Sequence, residues 1–307
     1  MGFLRLLAAG RTAVLDGFFS GLTYFGSELA FMAAALLMFW CIDKRQGYYV
    51  FLVGAFGTIC NQFLKLAFRI PRPWVLDPEF QIVEAARADA TGYSFPSGHT
   101  QNIVGTTASL FACRKEKWVQ IVCAVLMVLV PFSRMYLGVH TPLDVGVGAI
   151  TAAALVLALY PIMMRSAENP AAMGAVIAVM AALAAGYLVF VSCFPFPADV
   201  DAANLASGRE NAWKLLGATL GLAAAWGLDQ RFIRFDTAGA WYVQTVKLAG
   251  GLALLLGIRA ALKAPLAALL GPGAGGAVRY AVMVLFAGAV WPITFAPLRR
   301  LLEKRRG

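Results

Sequence analysis

Long apolar runs set the first constraint on this chain. Nine stretches, at residues 22–42, 48–66, 98–113, 118–137, 142–164, 171–194, 213–228, 243–262 and 278–295, are nearly free of charge, the third and seventh being short. A helix rises about 1.5 Å per residue, so about 20 apolar residues cross the hydrocarbon of a bilayer. Inside lipid every backbone N–H and C=O must find a partner within the chain, which leaves helices or a closed barrel. Runs of this length without strict alternation are helices. Apolar residues make up 60% of the chain and charged ones 14%, against about 45–50% and about 25% in soluble domains. Such a chain is also too apolar to be disordered. The expected fold is all-α, a polytopic helical membrane protein of about nine transmembrane helices.

The charges give an orientation. The net charge is +10, and 14 of the 26 Lys and Arg lie on one side of the alternating topology. They are Lys44, Arg45, Arg114, Lys115, Lys117, Arg165, Arg231, Arg234, Lys247, Arg299, Arg300, Lys304, Arg305 and Arg306. The positive-inside rule makes that side cytoplasmic. The long loop 67–97, the turn at 138–141 and the loop 195–212 then face outward, with the N-terminus outside and the C-terminus inside. A chain lying mostly in lipid is not expected to bind nucleic acid. Residues 1–20 mix Phe3, Leu4, Leu6, Phe18 and Phe19 with Arg5, Arg11 and Asp16. They are expected as an interfacial amphipathic helix, the alternative being a tilted extension of the first span. The charges also argue against a cleaved signal peptide. Cys41, Cys60, Cys113, Cys123 and Cys193 lack metal-ligand spacing and read as small buried apolar residues.

Only two histidines occur, His99 and His140, both on the outer side. Around them stand groups suited to an oxyanion. Lys65 closes the second span and Arg72-Pro73 follows, either as functional cations at membrane depth or as side chains snorkelling to the headgroups. Pro96-Ser97-Gly98-His99 opens the third span, where free N–H groups and the positive end of the helix dipole suit phosphate. The plainer alternative is Ser97 as an ordinary N-cap. Ser133-Arg134 precedes His140, and Thr141-Pro142 starts a helix that brings Asp144 near it. Asp144 either orients the imidazole or is a first-turn acid favoured by the dipole.

Together Lys65-x6-Arg72-Pro73, Pro96-Ser97-Gly98-His99 and Ser133-Arg134-x5-His140-x3-Asp144, with spacers of 22 and 33 residues, resemble the type 2 phosphatidic acid phosphatase superfamily. The resemblance covers about residues 20–165. It implies a catalytic core like the helical bundle shared with vanadium haloperoxidases, and the apolar chain points to the bacterial integral-membrane branch. Three domains are expected: the interfacial helix at 1–20, a membrane-embedded phosphatase core at 21–165, and additional C-terminal transmembrane helices at 166–307.

The resemblance also implies a chemistry. Lys65, Arg72, Arg134, Ser97 and the Gly98 N–H would bind the phosphoryl oxygens. His140 would attack phosphorus to form a phosphohistidine, Asp144 would orient it, and His99 would serve as general acid and then general base. His140 neutral and His99 protonated imply a bell-shaped pH profile. No metal and no cofactor are expected, so activity should survive EDTA and yield to orthovanadate. The expected reaction is hydrolysis of a phospholipid or polyprenyl phosphate or diphosphate at the outer face of the bacterial cytoplasmic membrane. A phosphotransferase or a non-catalytic lipid transporter or scaffold remain the alternatives. Asp77, Glu79, Glu84 and Asp89 make the 67–97 loop acidic, for headgroup choice or for solvation. Glu28 either pairs with a site cation or sits at the interface. Lys247, Arg259, Lys263 and Arg279 either serve an anionic lipid or snorkel, in a region expected chiefly to pack through small residues.

Overall fold

The computed structural model describes residues 1–165 and 169–304. Arg305 and Arg306 of the basic tail lie outside these, as does Ser166, the expected start of the C-terminal region. Among the described residues every regular element is helical. In chain order α1 is Gly2–Ala9, α2 Ala13–Thr23, α3 Glu28–Leu37, α4 Lys44–Phe68, α5 Pro73–Leu76, α6 Gly98–Cys113 and α7 Lys117–Tyr136. Then come α8 Pro142–Met164, α9 Pro170–Cys193, α10 Ala202–Leu228, α11 Trp241–Thr245, α12 Gly251–Leu285, α13 Trp291–Ile293 and α14 Phe295–Lys304.

The protein is an integral membrane protein, but nine separate spans are not confirmed among the described residues. Five stretches among the described residues are long and apolar enough to cross: Lys44–Leu76, Lys117–Tyr136, Pro142–Met164, Pro170–Cys193 and Trp241–Ile293. A sixth is counted if Ala13–Gly26 and Glu28–Ile42, bent by 51°, form one span. The expected span 243–262 and most of 278–295 fall inside Trp241–Ile293, which breaks at Gly271 (φ 79) within α12. The 16-residue α6 is too short, and it buries Thr100, Gln101, Thr106, Thr107 and Ser109. A helix surrounded by protein need not be apolar.

By their internal contacts the residues form two compact units. The first comprises Met1–Ala34, Tyr49–Pro161 and Pro195–Gly208. Within it residues 1–20 form two helices rather than one: Gly10 ends α1, and the Thr12 hydroxyl caps α2 by accepting from the Leu15 N–H. Leu4 and Phe19 are buried against Phe80, Ile82, Tyr136, Leu137 and Val139, each worth about 1.5–3 kcal/mol of burial. Phe3, Leu6, Val14 and Phe18 remain exposed. Between the two helices Arg11 donates from Nε and Nη2 to the Tyr136 carbonyl at 3.0 and 2.7 Å, and from Nη1 to the Gln81 carbonyl at 2.6 Å. The Tyr136 hydroxyl in turn donates to Asp16 at 2.8 Å. The N-terminal segment thus clasps the end of α7. A second cluster, Ile103, Val104, Val130 and Ala152, joins α6, α7 and α8.

The second unit comprises Ala35–Tyr48, Ile162–Phe194 and Arg209–Gly307. A Cβ on Gly217 would lie 2.0 Å from the Ala277 carbonyl, and one on Gly221 2.5 Å from that of Ala281. Close backbone packing of this kind is what small residues permit in membranes. Lys247 neither snorkels nor faces a lipid surface. It is fully buried, donates to the Thr237 and Ala238 carbonyls at 3.0 and 3.1 Å, and lies 4.8 Å from the Phe295 ring centre. Lys44 pairs with buried Asp229 at 2.7 Å.

Candidate active site

Lys65 sits in the last turn of α4, buried, with its Nζ donating to the Tyr93 carbonyl. The chain leaves α4 through Arg69 in the left-handed region (φ 51). Pro73 then begins α5, so Arg72 is extended and its side chain turns inward. The buried guanidinium donates from Nε to the Gly92 carbonyl (3.0 Å), from Nη2 to that of Thr91 (2.6 Å), and from Nη1 to that of Val139 (3.0 Å). The same Nη1 lies 2.9 Å from His140 Nε2.

That last contact fixes the state of His140. A guanidinium only donates, so Nε2 is the acceptor and the ring proton is on Nδ1. Nδ1 faces Ser94 Oγ at 3.5 Å and Asp144 Oδ2 at 3.6 Å. Ser94 donates to Asp144 Oδ2 at 2.6 Å, so its oxygen lone pairs are turned toward the imidazole. Ser94 thus stands between the Asp144 carboxylate and the imidazole. Asp144 is also the first-turn acid of α8. Its Oδ2 also accepts from the Thr141 N–H at 2.7 Å, and Thr141 Oγ1 accepts from the Asp144 N–H at 3.3 Å, a reciprocal cap on α8. Burial pushes the His140 imidazole toward its neutral form, and Arg72, Arg134, Lys65 and His99 add to that. Its pKa lies well below the usual histidine range.

Arg134 is fully buried in the last turn of α7. Its carbonyl accepts from the Val139 and His140 N–H groups at 3.1 and 3.3 Å, closing a turn that Gly138 makes at φ 82. Its Nη1 donates to Thr23 Oγ1 at 2.7 Å, while Nε and Nη2 are buried without a partner. Ser133 is spent locally, donating to the Val130 carbonyl at 2.6 Å.

Ser97 caps α6, its hydroxyl accepting from the Thr100 N–H at 3.3 Å and the Thr100 hydroxyl at 3.0 Å. Its N–H donates to the Asp144 carbonyl at 2.9 Å, which ties the start of α6 to α8. The preceding Phe95–Pro96 peptide is cis, and Asn61 Nδ2 donates to the Pro96 carbonyl at 3.2 Å. Within the protein a Cβ on Gly98 would meet only Asn61 Oδ1, at an ordinary 3.6 Å. Its N–H stands among those a helix start leaves unpaired. His99 follows, half-buried, and Gly26 is pressed against it.

All eight expected residues thus belong to one region of the first unit. His140, Arg72, Asp144 and Ser97 are linked by direct contacts, and Lys65, Arg134 and His99 act electrostatically on His140. A cavity of about 460 Å³ adjoins it, lined by Phe68, Val75, Arg69, Arg72, Asp199 and Asn204 among others. Glu28 is exposed and forms no ion pair with a site cation among the described residues. Sequence reasoning missed Ser94, Thr23 and Asn61, polar residues whose only signal is burial in three dimensions.

Comparison with known proteins agrees with the geometry. Residues 46–168 match the PAP2 superfamily, and residues 213–305 match the transmembrane extension of PAP2 superfamily phosphatases. The chain is 30% identical over 145 residues to an undecaprenyl-diphosphatase of Sulfolobus acidocaldarius, covering 47% of this chain and 68% of that protein. It is 32% identical over 153 residues to an undecaprenyl-diphosphatase of Bacillus subtilis, covering 48% and 73%. A probable sphingosine-1-phosphate phosphatase of Dictyostelium discoideum is 31% identical over 161 residues, covering 48% of this chain and 38% of that protein. No solved structure matches the chain. With the motifs intact and their side chains gathered in one region, the chain belongs to the PAP2 superfamily, as a membrane-embedded phosphatase.

Proposed function

We propose that the protein hydrolyses a membrane lipid phosphate or diphosphate through a phosphohistidine on His140, at the extracytoplasmic face of a bacterial cytoplasmic membrane. The observation that carries this reading is the lone pair on His140 Nε2, held by Arg72 opposite an Nδ1–H that faces Ser94 and Asp144. The unpaired Nε and Nη2 of Arg134 offer a planar fork for two phosphoryl oxygens. As the phosphate enters, one of its oxygens takes over the Arg72 Nη1 donor and frees Nε2.

Nε2 then attacks phosphorus in line. The P–N bond forms as the bond to the lipid oxygen, or to the bridging oxygen of a diphosphate, breaks. Burial, Arg134, Arg72 and Lys65 hold the His99 pKa down to about 2. The bound phosphate offsets those cations, so His99 takes up a proton as the substrate enters and delivers it to the departing oxygen. In the second step His99 takes a proton from water, the hydroxide forms the new P–O bond, the P–N bond breaks, and phosphate leaves with His140 restored. Lys65, Arg72, Arg134, Ser97 and the Gly98 N–H stabilise the charge spread over the equatorial oxygens. Phe68 and Val75 beside Arg69 and Arg72 in the adjoining cavity suit a phosphate that carries an apolar chain. The two diphosphatase relatives favour polyprenyl diphosphate as the first substrate to try.

The test is phosphate release by the purified protein in proteoliposomes, from undecaprenyl diphosphate, phosphatidic acid and phosphatidylglycerol phosphate, beside His140→Ala. The expected result is release from at least one lipid and a loss of at least about a thousandfold in the variant. Wild-type turnover by His140→Ala overturns the mechanism. A new phosphorylated lipid in place of free phosphate would mean transfer to a lipid acceptor.

A further inference from the structure

The structure assigns to Thr23 the role of a positioning residue for Arg134, and makes the N-terminal turn at residues 23–26 part of the phosphate site. This rests on the reading of that site as a phosphate site. Thr23 lies outside the three motifs and outside residues 46–168, which match the PAP2 superfamily. It ends α2, is buried, and its Oγ1 accepts from Arg134 Nη1 at 2.7 Å across 111 residues of sequence.

The argument turns on the shape of a guanidinium. Its donors lie in one plane, and an oxyanion is bound most strongly by two parallel N–H bonds from one edge. In Arg134 the Nη1 corner is held by Thr23, whereas Nε and Nη2, which form one such edge, have no partner although they are buried. Thr23 therefore selects the edge that stays available. Without its hydroxyl, Nη1 would be a third unsatisfied buried donor, and the plane could rotate to satisfy it elsewhere.

The same turn braces the second histidine. A Cβ on Gly26 would lie 2.9 Å from the His99 carbonyl oxygen and 3.1 Å from His99 Cβ. The Gly26 carbonyl accepts from Asn102 Nδ2 at 3.4 Å, one turn further along α6. One short segment thus touches both the proposed oxyanion holder and the proposed general acid.

The test uses the full-length protein with Thr23→Val, which keeps the shape and removes the hydroxyl, and Thr23→Ser, which keeps the hydroxyl. Each is measured for kcat, KM and inhibition by orthovanadate. Thr23→Val should lose about tenfold or more in kcat/KM and weaken orthovanadate by a similar factor, as expected for a hydrogen bond to a charged group. Thr23→Ser should recover most of both. A purely structural role would lower the amount of active protein but leave the orthovanadate inhibition constant alone. Wild-type orthovanadate inhibition in Thr23→Val, or an equal loss in Thr23→Ser, overturns the assignment. If Thr23→Val does not fold, Thr23→Ala takes its place with the same expectations and the same overturning results. If the wild-type protein hydrolyses none of the lipids, the functional reading fails. Calorimetric titration of orthovanadate into wild type and Thr23→Val then still decides the role of Thr23.

Discussion

Lys247 in the second unit and Arg134 in the first are both fully buried cations in helical surroundings. Lys247 has its ammonium on two carbonyls and an aromatic ring. Arg134 has one donor on Thr23 and two buried donors without partners. Burying a charge is costly unless its hydrogen bonds are made. A cation whose donors are spent holds two pieces of chain together. One whose donors are unspent is arranged for something that arrives later. By this criterion Arg134 is open to a ligand and Lys247 is not. Arg279 blurs the contrast: it is buried in the second unit, its Nε is unpaired, and its guanidinium lies 5.6 Å from the Tyr280 ring centre.

The sharpest break would come from exchanging the two roles. Arg134→Gln should lower kcat/KM by about a hundred- to a thousandfold, the usual cost of one transition-state charge stabiliser, while the protein still folds. Lys247→Met should leave the turnover of folded protein unchanged but destabilise it by about 1–3 kcal/mol, since two buried carbonyls lose their donor. A Lys247→Met protein with normal stability and poor turnover would break the comparison. Arg134→Gln also tests the electrostatics of His140. Folded His140 is held below the ordinary histidine range, whereas the unfolded chain takes up that proton near pH 6.5. This group's contribution to stability is therefore fully present above about pH 6.5 and is lost as pH falls below it. Removing the Arg134 charge favours the imidazolium, so the pKa should rise. With two histidines in the chain, an NMR titration of wild type against Arg134→Gln can follow the shift. No movement would mean that burial alone sets the state of His140.

A smaller effect separates Asp144 from Ser94. Asp144→Asn should cost about a hundredfold or more in kcat, because the group orienting the imidazole loses its charge. Ser94→Ala should cost about tenfold, the value of one hydrogen bond to a charged group. Equal losses would mean that Ser94 carries the whole contact, which the 3.5 and 3.6 Å separations leave open to both.

What the sequence revealed follows from distance along the chain. Pro96-Ser97-Gly98-His99 is legible because a helix start is a local event, and Thr141-x2-Asp144 because a reciprocal cap spans one turn. Thr23 and Ser94 meet Arg134 and Asp144 across 111 and 50 residues, with no periodic pattern to announce them. Arg11 looked like a polar residue of an interfacial helix, yet it holds the Tyr136 carbonyl. The count of nine spans is not confirmed, for the opposite reason. Hydropathy measures contact with lipid, and α6 hides its polar residues inside the protein.

A gentler perturbation of the first unit is Gly26→Ala. The new Cβ, 2.9 Å from the His99 carbonyl, must displace α6 or the turn by a few tenths of an ångström. Misplacing a catalytic group by about 1 Å can cost about a hundredfold, so a loss of about three- to tenfold in kcat is expected, with orthovanadate inhibition changed less. Unchanged kcat would show that the turn braces Arg134 alone.

The smallest effect concerns the acidic loop, where sequence left headgroup selection and simple solvation both open. Two of its carboxylates are already committed: Asp77 takes Arg5 at 2.6 Å and Glu84 takes Arg87 at 2.7 Å. Paired carboxylates repel an incoming phosphate weakly, because each carries its own counter-charge, and salt screens the exposed Glu84–Arg87 pair further. The double variant Asp77→Asn, Glu84→Gln should therefore change the ratio of kcat/KM for a diphosphate over a monophosphate lipid by less than about twofold. A shift of tenfold toward the diphosphate would restore the repulsion idea. It would also move part of the selectivity from the buried cations to the rim of the first unit, where charge is exposed and spent.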